Sequence, residues 1–180
     1  MKKILFCRFC KSNKLVDVIN LGKQSLTGVF PKNVKDKVTR GPLIVALCKN
    51  CSLLQLRHSY NMEELYGLNY GYRSSLNSSM VNHLRNKAIT LVKNYKITKK
   101  DFIIDIGSND GTFLNFFKNY KNLIGVDPTI AKFKKNYNKE ITQIEDFFPS
   151  NILNSKIKLK KAKLITSFSM FYDLEDPFEF

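Results

Sequence analysis

A short stretch near the middle of the chain combines two carboxylates with two glycines. Residues 102–112 read FIIDIGSNDGT. Asp105 lies within the apolar run, and Asp110 lies between Gly107 and Gly111. An apolar run followed by glycines and then by a helix-like pattern predicts a buried parallel strand, a tight turn and a helix start. Because glycine lets the backbone turn sharply and a ligand approach closely, we predict a ligand site at this strand end.

The charge of this turn indicates which ligand it can hold. A dinucleotide site would read G-x-G-x-x-G, so that the pyrophosphate meets bare helix N–H groups. Carboxylates at Asp105 and Asp110 would repel a pyrophosphate. They suit a ligand that carries a positive charge, an amino group or hydroxyls. S-adenosylmethionine has a sulfonium, an α-amino group and a ribose, so we expect this cofactor here.

A second strand end follows about twenty residues later, a spacing typical of ribose-binding carboxylates. Residues 123–129 read LIGVDPT, and Asp127 ends this short apolar run. The two motifs together are more specific than either alone. The alternative is an ordinary βαβ unit with acidic loop ends.

A third strand end can complete the site. Residues 141–144 predict a short strand, and Asp146 and Phe147 follow it. The carboxylate can bind the exocyclic amine of adenine while the ring stacks on the base; the alternative is a pair of core phenylalanines beside a solvated acid. The predicted cofactor-binding residues are Asp105, Gly107, Ser108, Asp110, Gly111, Asp127, Asp146 and Phe147.

The four cysteines of the chain form two C-x-x-C motifs, Cys7 with Cys10 and Cys48 with Cys51. Two such motifs with no cysteine left over predict a tetrahedral Cys₄ zinc site, which is structural because the protein fills every position. A redox C-x-x-C is the alternative, but it would need a thioredoxin-like βαβ context that the sequence lacks. We expect His58 to be a surface residue rather than a ligand.

The composition sets limits on partners and location. The chain has 180 residues, 43% of them hydrophobic, and a net charge of +15. Scattered lysine without a dense arginine cluster is more typical of a solvated surface than of a nucleic-acid stripe, and it would also attract an anionic small substrate. No window approaches the roughly 18 apolar residues of a membrane span, and we expect a cytoplasmic protein.

The elements that must position these residues indicate an α/β chain with three parts. We predict a zinc-binding domain over residues 1–62, a helical linker or lid over 63–100 and a Rossmann-like sheet over 101–180. The first part should contain a strand at 15–21 and a loop at 31–42. The sheet should contain strands at 102–106, 123–126, 141–144 and 162–169, with helices over 113–117 and 130–137. So few strands make an incomplete sheet, so we expect a C-terminal half or a partner chain to complete it.

The middle part begins with a segment rich in Tyr, Ser and Asn. Apolar steps of three and four from Met80 to Leu91 predict a helix, with Asn77 or Ser78 as its cap. Two alternatives exist for the residues before and within it. Either these residues pack as a lid on the sheet, or this hydroxyl-rich segment covers the cofactor loop. Tyr72 and His83 are the candidate catalytic residues.

Six sequence features, with the two C-x-x-C pairs counted as one, resemble those of one known family. They are the two C-x-x-C pairs, LGKQSLTGVF at residues 21–30, YGYRSSLNSSMVNH at 70–83, DIGSNDGTFL at 105–114, GVDP at 125–128 and SMFYDLEDP at 169–177. The chain resembles the N-terminal half of the zinc-containing, S-adenosylmethionine-dependent sugar C-methyltransferases, a zinc-binding domain followed by the start of a class I methyltransferase domain. These enzymes act on nucleotide-linked keto-deoxysugars.

The resemblance implies roles for several residues. The cysteines bind zinc, Asp105, Gly107 and Asp127 match cofactor-binding positions, and the Tyr/Ser-rich segment faces the active site. The family's catalytic histidine, next to a glutamate, matches no residue of this chain, so the general base is not assigned.

Three functions follow as hypotheses. The first is C-methylation of a nucleotide-linked keto-deoxysugar, with this chain as the N-terminal half of the enzyme. The second is an RNA methyltransferase that uses a zinc ribbon and a basic surface. The third is a zinc-binding fragment that catalyses nothing.

Overall fold

The computed structural model describes residues 1–26, 28–67, 70–157 and 161–180. The chain folds into two compact units, Met1–Gly71 with Asp173–Phe180 and then Tyr72–Tyr172. The domain limits expected at residues 62 and 100 stay predictions. Within the described ranges, no helix combines the length and the apolar character that crossing a bilayer requires.

The first unit is built on antiparallel strands. Its elements are β1 (Lys2–Lys3), β2 (Leu15–Ser25), β3 (Arg40–Cys48), β4 (Leu54–Leu56), β5 (His58–Ser59) and α1 (Met62–Tyr66). One sheet has the order β2-β3-β4, and β1 pairs with β5 in a separate ribbon. The strand expected at residues 15–21 is confirmed and continues to Ser25.

The loop expected over residues 31–42 ends earlier, because β3 already begins at Arg40 and includes Pro42. Proline is confined to sheet positions where its missing N–H is not needed. β4 pairs only with Val45–Leu47, so at Pro42 the described ladder has β2 on one side of β3. Proline is tolerated there for this reason.

The second unit is a parallel sheet with helices. Its elements are α2 (Ser78–Tyr95), β6 (Phe102–Ile106), β7 (Asn122–Val126), α3 (Ile130–Phe133), β8 (Ile141–Ile144), α4 (Asn151–Ile157) and β9 (Leu164–Thr166). The strand order is β8-β7-β6-β9 and every pair is parallel. Consecutive strands β6, β7 and β8 lie side by side and β9 returns to the other side of β6, which is consistent with a Rossmann-like fold. The expected α/β class is confirmed.

Helix α2 confirms the apolar steps seen in the sequence. Leu84 and Ala88 are its buried residues, and the side chain of Asn77 accepts a hydrogen bond from the Ser79 N–H at the first turn. Asn77 is therefore the cap. The helix ends where Lys96 takes a left-handed conformation with φ of 50°.

Three elements are shorter than expected. Residues 113–117 contain only a 3₁₀ turn at Leu114–Phe116, and residues 130–137 divide into α3 and a 3₁₀ turn at Lys134–Asn136. The strand expected over 162–169 is limited to β9, whose Ile165 is 59% exposed. Apolar side chains at 113, 114 and 117 are buried although the backbone forms a short turn rather than a continuous helix, with hydrogen bonds from Phe116 to Phe113 and from Phe117 to Leu114.

Candidate cofactor site and zinc centre

The four cysteines converge in the first unit. Their sulfur atoms all lie within 4.8 Å of one another, and the distances Cys7 Sγ to Cys51 Sγ and Cys10 Sγ to Cys48 Sγ are both 3.6 Å. All four thiols are free. A Zn–S bond of about 2.3 Å places the sulfurs of a tetrahedral site about 3.8 Å apart. The four thiols therefore fit a zinc ion and do not form disulfides.

The two C-x-x-C turns have the same backbone. The N–H of Lys11 donates to the carbonyl of Cys7 at 3.0 Å, and the N–H of Ser52 donates to the carbonyl of Cys48 at 2.8 Å. Both donors have a left-handed φ, 58° for Lys11 and 64° for Ser52. Such values are uncommon for residues other than glycine. Because neither residue is a glycine, nothing in the sequence indicated that these turns contain a left-handed residue.

The surroundings of Cys10 favour its thiolate. A backbone hydrogen bond from Ser12 is the main cause that lowers the pKa of Cys10 to about 6, with the Asn50 amide and neighbouring thiols as further causes. Thiolate is the form that binds zinc. His58, placed in β5, is partly exposed, and it does not belong to the cluster of ligand atoms found in the described residues.

The second unit brings the predicted acidic strand ends to one edge. Asp105 lies in β6, Asp127 directly follows β7, and Asp146 follows β8. These strands are parallel neighbours, so their carboxyl ends meet at the same edge. We call residues 107–112, which follow β6, the strand-end loop.

Asp105 is buried at this edge, with 2% of its surface exposed. The hydroxyl of Thr166 donates to Asp105 Oδ1 at 2.7 Å. Burial, with a smaller contribution from the charge of Asp127, raises the pKa of Asp105 to about 7, although the Thr166 hydrogen bond opposes this shift. A carboxyl that resists ionisation in this way is stabilised as a carboxylate by a cationic ligand.

Asp127 connects the two neighbouring strand ends. Its Oδ2 accepts from the backbone N–H of Asn109 at 2.8 Å, and its Oδ1 accepts from the N–H and the hydroxyl of Thr129. Burial raises its pKa, while these donors lower it. Each carboxylate oxygen has two lone pairs, so these bonds leave Oδ2 with one acceptor position for a hydroxyl.

Asp110 uses both of its oxygens within the unit. Oδ1 accepts from the N–H and hydroxyl of Thr112, and Oδ2 accepts from the N–H of Ser75 at 3.1 Å, with Arg73 Nε at 3.6 Å. The side chain is 1% exposed. These contacts hold the strand-end loop against residues 73–75; a direct contact of Asp110 with a cofactor stays a prediction.

Tyr137 is a residue of this site that the sequence patterns did not indicate. Its hydroxyl donates to the carbonyl of Asn109 at 2.8 Å, so the Ser108 hydroxyl, also 2.8 Å away, is the donor to Tyr137. Burial is the main cause that raises the pKa of Tyr137. It therefore supports the loop as a neutral phenol. The one signal in the sequence was its position as an aromatic residue at the end of the helix expected over residues 130–137.

The glycines fit the loop for two reasons. Gly107 and Gly111 have φ of 71° and 75°, which favour glycine. A Cβ on Gly111 would lie 2.7 Å from the ring of Tyr137, and one on Gly125 would lie 2.8 Å from Ser108 Oγ. A Cβ on Gly107 would make only ordinary contacts with Met170. Gly107 is thus needed for its backbone conformation, and Gly111 also for space.

Asp146 and Phe147 lie at the same edge, after β8. Asp146 accepts from the N–H of Phe147 at 2.9 Å and from the hydroxyl of Ser150 at 2.7 Å. Phe147 and Phe148 are both partly exposed, so neither belongs to the fully buried core. Their role at an adenine stays a prediction.

The two catalytic candidates lie in different surroundings. Tyr72 is 39% exposed, and its backbone carbonyl accepts from Asn109 Nδ2 at 3.1 Å. Residues 72–75 thus contact the strand-end loop, as expected if this segment covers it. His83 is exposed on α2, and within the described residues no hydrogen bond joins it to the loop.

Comparison with known proteins gives one family model and one curated relative. A family model described as "Putative zinc binding domain" matches residues 7–66, which contain all four cysteines. The chain is similar to C-methyltransferase NovU of Streptomyces niveus, at 32% identity over 125 residues. This match covers 68% of the chain and 30% of NovU, so the chain matches less than a third of that relative's length. These matches support the resemblance of the chain to zinc-containing C-methyltransferases.

Proposed function

We propose that this chain is the cofactor-binding part of an S-adenosylmethionine-dependent methyltransferase that methylates a carbon of a nucleotide-linked keto-deoxysugar. The observation that carries the proposal is the pair of buried carboxylates, Asp105 and Asp127, at neighbouring strand ends around a glycine turn. The similarity to a named C-methyltransferase supports the reaction class.

The chain's own residues would bind and orient the cofactor. Asp127 has an acceptor position left for a ribose hydroxyl. A cationic group next to Asp105 would favour the ionised form of its carboxylate. Asp146 and Phe147 would contact the adenine. S-adenosylmethionine, when bound, supplies an electrophilic methyl group.

Catalysis in such a reaction depends mainly on alignment. Methyl transfer is an in-line displacement, so holding donor and acceptor in the correct geometry supplies much of the acceleration. An acceptor carbon next to a keto group becomes nucleophilic as its enolate, which donors near its oxygen stabilise. Tyr72, held next to the strand-end loop by Asn109, is the residue that we propose contacts the acceptor.

The Cys₄ centre has a different task. Four protein thiols leave no coordination position for a substrate, so zinc would stabilise the first unit and would not take part in the reaction. The net charge of +15 would attract an anionic nucleotide sugar at a distance, and salt would weaken this attraction.

Strand β9 supports the proposal that further chain completes the sheet. It is an edge strand in the described sheet, and Ile165 is 59% exposed there. An edge strand exposes unpaired backbone groups and is normally covered or paired. We propose that the covering strands, together with the general base, come from a C-terminal half of a longer protein or from a partner chain.

Calorimetric titration with S-adenosylmethionine tests the cofactor site. We expect the wild type to bind, and Asp127→Asn to bind at least about tenfold more weakly, because a charged hydrogen-bond acceptor is lost. Asp101→Asn is the matched control: Asp101 precedes the same strand β6 at its opposite end, and its carboxylate bonds to Thr98. Equal affinities of all three proteins, or no binding by the wild type, would contradict the proposal.

RNA titration separates the second hypothesis from the first. An RNA methyltransferase would bind RNA tightly and lose affinity steeply with salt, whereas the proposed sugar enzyme would bind RNA weakly. Zinc content without cofactor binding would favour the third hypothesis, a zinc-binding fragment without activity.

A further inference from the structure

Asn109 in the strand-end loop uses every one of its polar groups. Its backbone N–H donates to Asp127 Oδ2 at 2.8 Å, and its carbonyl accepts from the Tyr137 hydroxyl at 2.8 Å. Its side-chain Oδ1 accepts from the backbone N–H of Ser74 at 2.9 Å, and Nδ2 donates to the carbonyl of Tyr72 at 3.1 Å. The backbone of one residue thus contacts the predicted ribose carboxylate, while its side chain contacts the segment with Tyr72.

The next residue adds a second connection to the same segment. Asp110 Oδ2 accepts from the N–H of Ser75 at 3.1 Å, and Arg73 Nε lies 3.6 Å from the same oxygen. Arg73 Nε also donates to Ser75 Oγ at 2.9 Å. We call residues 72–75 the latch segment. Two consecutive loop residues therefore hold two consecutive backbone N–H groups of the latch segment.

The conformation of Asn109 suits this task. Its φ is 52°, in the left-handed region where asparagine is enriched, and only 8% of the residue is exposed. A buried polar side chain that loses its partners leaves several groups unsatisfied, which is costly. The loop and the latch segment consequently stabilise one another's conformation.

We propose that Asn109 is a positioning residue that couples the cofactor loop to the latch segment, so that a ligand bound at Asp127 also orders the segment with Tyr72. This inference rests on the proposed function for the identity of the ligand. Asn109 touches no reacting atom in this scheme. Its backbone N–H and the ligand would both bind the Asp127 carboxylate, while its side chain hydrogen-bonds to the backbone of Tyr72 and Ser74.

Residue-resolved amide hydrogen exchange, measured by NMR on the full chain, tests the coupling. The probe is S-adenosylhomocysteine, which lacks the methyl group and is not consumed. In the wild type we expect this ligand to slow exchange of the Ser74 and Ser75 N–H groups. Asn109→Gly keeps the left-handed backbone but removes both side-chain bonds, so Ser74 exchange should become at least about tenfold faster. The ligand should then no longer slow it.

Two further variants make the result specific. Asn119→Gly is the matched control, because Asn119 also has a left-handed φ, of 64°, but lies exposed outside the loop; Ser74 exchange should equal that of the wild type. Asn109→Asp keeps the Oδ1 acceptor for the Ser74 N–H but replaces the Nδ2 donor to the Tyr72 carbonyl with an oxygen. Ser74 should therefore be better protected than in Asn109→Gly, and the ligand should slow its exchange less than in the wild type. This variant also provides the test if Asn109→Gly does not fold.

The outcomes distinguish this inference from the proposed function. If calorimetry shows ligand binding while Ser74 and Ser75 exchange is unchanged by the ligand, the coupling is wrong and the cofactor site stands. Unchanged Ser74 exchange in Asn109→Gly would show that Asn109 does not position the segment. Absence of any ligand binding by the wild type would overturn the proposed function, and the coupling to a cofactor with it.

Discussion

The backbone N–H of Asn109 donates a hydrogen bond of 2.8 Å to Oδ2 of Asp127. This bond joins the loop after β6 to the end of β7, where Asp127 and Asn109 are both buried. A carboxylate that holds a neighbouring loop in place also limits the positions at which a ligand can approach it. The shape of the candidate site therefore depends on a bond between two strand ends, and the loop composition alone does not determine it.

The raised pKa of Asp105 predicts an unusual pH dependence of stability. Because the folded state holds this proton more tightly than the unfolded state, with a pKa of about 7 against 3.8, the contribution of Asp105 is full below pH 3.8 and is lost as the pH rises through about 7. Asp105→Asn should therefore gain stability relative to the wild type, by a few kcal/mol, between pH 5 and 8. Urea unfolding at several pH values measures this difference.

The control for this prediction has the opposite sign. Hydrogen bonds from Thr98 lower the pKa of Asp101, so its contribution is lost only as the pH falls below the ordinary carboxyl range. Asp101→Asn should differ from the wild type by a constant amount between pH 5 and 8. If the free energies of unfolding of Asp105→Asn and the wild type changed in parallel with pH, burial would not raise the pKa of Asp105.

The Tyr137 hydroxyl should contribute to stability through the loop. Tyr137→Phe leaves the Asn109 carbonyl and the Ser108 hydroxyl short of a partner, and we expect it to lower the free energy of unfolding by about 1–3 kcal/mol. Tyr120→Phe is the matched control in the same unit, because its hydroxyl bond to Ile97 is long, at 3.5 Å. Equal losses in both variants, measured by urea unfolding, would contradict a special role for Tyr137.

Alanine at two left-handed glycines separates backbone strain from crowding. Gly111→Ala must accommodate a Cβ 2.7 Å from the Tyr137 ring, whereas Gly22, with a φ of 69°, has no atom within 4 Å of its Cβ position. Both variants pay for the left-handed backbone, but Gly111→Ala should cost about 1–3 kcal/mol more because of overpacking. Thermal and urea unfolding compare them. A larger loss for Gly22→Ala would refute this packing argument.

Removal of one zinc ligand should release the metal. We expect one zinc per chain in the wild type and a large loss of zinc in Cys48→Ser, whose Sγ lies 3.6 Å from that of Cys10. The melting temperature should fall, since metal binding stabilises such domains. Asn50→Ala removes only a hydrogen bond of 3.5 Å to Cys10 Sγ and should keep its zinc. If metal analysis found no zinc in the wild type, the prediction that the four cysteines bind zinc would be wrong.

Local patterns predicted several elements correctly. Strand β6, strand β8 and the course of helix α2 follow from apolar periodicity, which depends only on neighbouring residues. The clustering of the four cysteines followed from their number and spacing, and their sulfurs all lie within 4.8 Å of one another. The length of the elements after β6 was overestimated, because apolar spacing alone does not distinguish a buried 3₁₀ turn at Leu114–Phe116 from a continuous helix.

The identities of the strand-end residues, the C-x-x-C spacing and the parallel α/β class could all be read from the linear order of the chain, because each is a short-range pattern of charge, glycine or hydrophobicity. Only the folded chain decided that Asn109 connects Asp127 with Tyr72, that Tyr137 supports Ser108, and that Thr166 bonds to Asp105. These partners are distant in sequence, and no local propensity specifies which of many polar groups will meet. Their pairing follows from the strand order, which places separate strand ends side by side and buries them together.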